Sequence, residues 1–261
     1  MRLIDRLGLV GARRALAVMV LGLFAVLHLE LALLLLLGGD DSGAWRVPMG
    51  FAVCYGLSAF ALTAGWFWAR WFANGIAWYW FGLGLMLLAF LLMRHESPAA
   101  CIIAAAFAGI HGLVVFCLSG RKMGEAYELT PGWRERFKLD EYAIRPVGRV
   151  VTFTAAALPE LIVRVVGPRP EAVGVVLGLA GLLGLWGVLR LRTWGVLLVG
   201  VTAAGVTLAA AGPLMGAPRL LDLGLLPAVP LRLMDATAAG LLAVAFLPFV
   251  RPIGRFLAAR R

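Results

Sequence analysis

Apolar residues in this chain come in long unbroken runs separated by short polar or basic segments. They do not alternate as in a half-buried strand. Seven runs reach the roughly 20 residues that a helix needs to cross a bilayer. They cover approximately residues 14–37, 50–68, 75–93, 98–118, 172–189, 194–214 and 233–250.

An eighth stretch, Val150 to Gly167, is apolar enough to enter a membrane yet carries Pro159, Glu160 and Arg164. Its length is about 27 Å as a helix, just enough to span. Thr152, Ala156, Glu160 and Arg164 recur every four residues and form one small-and-polar stripe. Such a stripe suits a helix lying in the interface, and equally a spanning helix turned toward its neighbours. Arginine placement favours spanning. With a cytoplasmic N-terminus and eight spans, most of the 24 basic residues fall inside, including Arg190, Arg192 and the tail from Arg251 to Arg261. The pattern therefore predicts an all-α integral membrane protein with eight transmembrane helices: seven plus a short kinked eighth at 150–167.

Weak internal similarity points to two parallel four-helix halves. At an offset of 120, Trp66, Arg70 and Gly75 fall on Trp186, Arg190 and Gly195; at 130, Glu30 falls on Glu160. Four spans per half return the chain to the same side of the membrane. The predicted organisation is a first half at 1–119, a cytoplasmic amphipathic connector at 120–149 and a second half at 150–261.

Composition agrees with this reading. Hydrophobic residues make up 62% of the 261 and charged residues only 15%, more apolar surface than a soluble core could bury. The formal charge of +10 sits between apolar runs, as expected for orientation and anionic-headgroup contact rather than nucleic-acid binding. The preference for Arg over Lys, with abundant Ala, Leu, Gly and Val, suggests a bacterial protein, and the arginine placement puts it in the inner membrane with both termini cytoplasmic. The first apolar run is too long for a signal-peptide core and is expected to stay as the first span. Cys54, Cys101 and Cys117 lie within apolar runs and read as free thiols.

Two connecting segments stand out. In 120–149, Thr130 and Pro131 form a good helix start, and Trp133, Arg134, Arg136, Phe137 and Lys138 follow as a contact face for anionic headgroups or a protein partner. The outer segment 216–232 is apolar and proline-interrupted, and is expected to form a short interfacial helix.

No catalytic motif occurs in the loops, so the candidate chemistry lies at membrane depth. Glu30 and His28 in the first span, with His111 in the fourth, suggest a polar site facing the protein interior. Glu160 and Arg164 suggest an ion pair beside the proline kink. The two histidines also raise haem ligation, although their expected depths differ by roughly 8 Å at 1.5 Å per residue. Residues 76–85, rich in Trp and Tyr, read as an interfacial belt at the start of the third span. No metal site is expected. The leading function is a scaffold or accessory subunit of a membrane complex, without enzymatic activity. A proton-coupled or small-molecule transporter using Glu30 and Glu160 is the first alternative. A haem- or quinone-binding redox subunit is the second.

Overall fold

The computed structural model describes residues 3–39, 42–128, 141–167, 171–211, 220–221 and 229–258. Nine helices occur among them: α1 Leu3–Leu37, α2 Arg46–Ala64, α3 Ala69–Met93, α4 Pro98–Leu118, α5 Arg121–Glu128, α6 Glu141–Val166, α7 Ala172–Leu189, α8 Thr193–Ala211 and α9 Leu231–Ala258. Five stretches are long and apolar enough to cross a membrane: Gly8–Leu37, α2, α3, α4 and α7. Thr193–Ala209 and Ala236–Arg251 are shorter apolar stretches. Apart from one two-residue antiparallel pair, the regular structure among the described residues is helical, and the apolar helices suit contact with a lipid bilayer.

The chain divides into two compact units, Met1–Asp140 and Glu141–Arg261. In the first, α1 packs on α2 and α4, and α3 packs on α2, α4 and α5. Gly84 and Ala108 bring α3 and α4 together so closely that a Cβ on Gly84 would lie 3.0 Å from the Ala108 Cα, as small residues allow between membrane helices. The helix ends are set by local chemistry. Gly65 takes the left-handed conformation (φ 69°) that stops α2. Ser97 caps α4, its hydroxyl accepting from the Ala100 N–H at 3.3 Å, and Pro98 follows.

These signals move the expected borders. Because α2 ends at Ala64 and α3 begins at Ala69, Trp66 to Trp68 form the turn, and residues 76–85 lie well inside α3. The aromatic belt expected there is not at a helix start. Tyr79 is buried, and Trp80 packs edge-on to Phe51 and Phe107.

In the second unit α6, α7, α8 and α9 close a ring of neighbours. Here α6 is one helix of 26 residues containing Pro146 and Pro159. It takes in residues 141–149, which the connector was expected to hold. Every residue from Thr154 to Ile162 is buried, two and a half turns that cover all directions around the axis. Over these residues α6 is packed on all sides. The close approach is made by α7, whose Gly174, Gly178 and Gly181 sit against Arg164, Leu161 and Val165. Leu220–Leu221 pairs antiparallel with Val229–Pro230, so these four residues are extended where an interfacial helix was expected.

Candidate functional site

The polar groups of the first unit gather in two places. The deeper one joins α1, α2, α3 and α4. His111 is fully buried. Its Nδ1 lies 2.9 Å from the Phe107 carbonyl one turn earlier, and its Nε2 lies 2.8 Å from the Tyr55 Oη. A carbonyl only accepts, so Nδ1 carries the proton, and the Tyr55 hydroxyl donates to Nε2. Half-buried His28 repeats the first contact, its Nδ1 donating to the Phe24 carbonyl at 2.8 Å. Phe24 and Tyr55 touch both imidazoles, with ring centroids 6.3 and 5.2 Å from His28 and 4.5 and 6.0 Å from His111. Phe51, Trp80 and Phe107 complete the aromatic shell.

As packed, His28 and His111 do not fit one haem. Phe24 and Tyr55 occupy the space between them, and the Tyr55 hydroxyl already engages the lone pair that an iron would need. Among the described residues no three His, Cys, Asp or Glu side chains converge.

Glu30 is not part of this cluster. Two residues beyond His28, it points about 200° away around the helix and is exposed, beside exposed Leu29, Leu31 and Leu34. The interior partnership with His111 that the sequence suggested is taken by Tyr55. Only a narrow stripe of α1, with Ala17, Leu21 and Ala32 fully buried, faces the bundle.

The second gathering lies where α2 and α4 end, and the sequence reading missed it. Arg13 donates to the carbonyls of Phe116 and Ser119, the latter at 2.7 Å. Arg14 donates to Thr63, and Arg70 donates to Leu118 at 3.2 Å. These carbonyls lie at the ends of α2 and α4, where intrahelical donors run out and the helix dipole is negative; Phe116 also accepts the Ser119 N–H at 3.2 Å. Arg70 also pairs with Glu128, which accepts from the Trp71 indole at 2.8 Å. Tyr127 donates to the Leu62 carbonyl at 3.0 Å beneath Arg14. Burial pushes this phenol up from its ordinary value, against the opposing charge of Arg14. In the sequence, the nearness of Arg13, Arg14 and Arg70 to helix ends was the available signal.

In the second unit Glu160 is 2% exposed and Arg164 half-buried, and both take part in polar or electrostatic interactions. The Thr154 hydroxyl is buried with no hydrogen-bond partner among the described residues. Trp133, Arg134, Arg136, Phe137 and Lys138 lie outside the described residues. All three cysteines are free thiols.

Comparison with known families, curated proteins and solved structures finds no match.

Proposed function

We propose that this protein is an accessory subunit of a bacterial inner-membrane complex and holds a partner's transmembrane helix against α1. The observation behind this reading is Glu30, exposed on a helix flank that is otherwise aliphatic, with Val26, Leu27, Leu33 and Leu34 around it. It lies sixteen residues beyond Arg14, about 24 Å along the helix and inside a hydrocarbon layer of about 30 Å. A carboxylate costs on the order of 2.5–3.5 kcal/mol at a helix centre and less toward the edge, where Glu30 lies. A partner helix bringing an Arg, Lys or amide donor to the same depth removes that cost.

In this reading eight helices cross the membrane, α6 among them, as two four-helix halves with both termini cytoplasmic. Its length, about 39 Å at 1.5 Å per residue, and its all-round burial support a span. Arg13, Arg14 and Arg70 gather at one end of the first unit, as the positive-inside rule expects of a cytoplasmic end. Anionic headgroups then meet residues 120–149.

A photo-crosslinker at Leu34, one turn from Glu30 on the same flank, tests the proposal in intact membranes. A discrete adduct with one membrane protein, lost on Glu30→Leu, is expected. An adduct pattern unchanged by Glu30→Leu refutes it.

A second reading, a transporter, draws on Glu160 and Thr154 buried beside Pro159 in α6. It requires water to reach Glu160. Loss of substrate uptake in Glu160→Gln, with the protein still present in the membrane, is its test.

A further inference from the structure

We infer that His28 anchors a binding site for a quinol, a flat ring bearing hydroxyl groups and dissolved in the bilayer. The starting point is the difference between two imidazoles held the same way. Both donate through Nδ1 to a carbonyl of their own helix, which leaves Nε2 of each neutral ring as an acceptor only. At His111 that acceptor is met by Tyr55. At His28 no described residue meets it.

A lone pair without a donor in an apolar setting is a costly group, and its surroundings say what would relieve it. The Phe24, Phe51 and Tyr55 rings stand 6.3, 5.7 and 5.2 Å from the His28 centroid, with Trp80 against Phe51 at 5.2 Å. Flat rings favour a flat ring by offset or edge-on contact. His28 is half-buried whereas His111 is fully buried, so part of the His28 ring reaches the outside of the bundle. The ligand therefore approaches sideways, from lipid.

The direction of the hydrogen bond then sets the preferred form. A quinol donates a hydroxyl proton to Nε2; the oxidised quinone has only carbonyl oxygens, which face the lone pair without bonding. The site selects the reduced form, and the inference concerns binding alone. It stands apart from any partner docked at Glu30.

Calorimetric titration of the full chain in detergent, under anaerobic conditions, tests it with tetramethyl-benzoquinol, its quinone, and a saturated-ring alcohol such as a sterol. The quinol is expected to bind about ten-fold more tightly than the quinone, the scale of one hydrogen bond in an apolar site, and more tightly than the sterol, whose hydroxyl also donates but whose saturated rings do not stack. His28→Phe keeps a ring and should erase the preference. His28→Gln keeps an acceptor and should retain quinol binding, while its amide N–H lets the quinone bind as well and narrows the preference. Equal affinity for quinol and quinone, no quinol binding, a sterol bound as tightly, or a preference that survives His28→Phe would each overturn the inference.

Discussion

If α6 is packed into the second bundle, Gly178 of α7 has no room for a side chain. A Cβ there would lie 2.5 Å from Val165 Cγ2 and 2.9 Å from the Leu161 carbonyl oxygen. The first contact is a side chain that could turn; the second is backbone of α6 and yields only if the helices part. Overpacking of this kind costs typically about 1–3 kcal/mol, and a leucine should reach the upper end. Against it stands the helix preference of Leu over Gly, roughly 0.8–1 kcal/mol. The expected net loss for Gly178→Leu is therefore about 1–2 kcal/mol, a five- to thirty-fold shift toward the unfolded state. Gly240 in α9 is the internal control, because nothing lies within 4 Å of its Cβ position; Gly240→Leu should be neutral or slightly stabilising. Unfolding in mixed micelles with rising SDS, followed by tryptophan fluorescence, reads both. The sign decides the matter. Were α6 lying in the interface away from α7, Gly178 would be open and Gly178→Leu would stabilise like Gly240→Leu. That result would refute the packing argument.

Other outcomes follow from the same contacts. Glu128→Ala leaves Arg70 and the Trp71 indole without their shared acceptor and should cost about 1.5–3 kcal/mol in thermal unfolding; removing Arg70 as well should recover part of it. His111→Ala strands the buried Tyr55 hydroxyl and opens a cavity, so the first unit should unfold earlier; Tyr55→Phe in the same background should recover the hydroxyl's share of the loss but not the cavity's. Gly65→Ala forces a side chain into the left-handed conformation and should cost about 1 kcal/mol in the same assay. The raised Tyr127 phenol gives a pH signature. Its folded value lies above the unfolded one, so its contribution is full below about pH 10 and falls as pH rises from there through the folded value. Stability measured over that alkaline window should fall less steeply in Tyr127→Phe.

The apolar runs were legible because lipid imposes composition over whole helices, whatever the neighbours do. Helix borders were less so. Residues 66–68 are apolar enough to belong to a span, and only the left-handed Gly65 assigns them to a turn. The His28–Tyr55–His111 arrangement depends on the rotation of three helices about their axes, which no one segment encodes. The parting of His28 and Glu30, by contrast, was readable, since residues two apart never share a helix face. Glu160 illustrates the opposite limit. Its stripe with Thr152 and Arg164 is real, but the far side of α6 is buried too, so periodicity carried no information about what surrounds it.

The arginines of α1 also impose a timetable on synthesis. The carbonyls that Arg13 engages lie 103 and 106 residues further along the chain. At about 5–20 residues per second, they emerge roughly 5–20 s after Arg13 itself. Throughout that interval Arg13 is without them, although Arg14 meets the Thr63 carbonyl as soon as the second helix arrives. The contact made by Arg13 therefore closes late, when the end of the fourth helix arrives, on a pairing of the first two helices that needs only the first 64 residues.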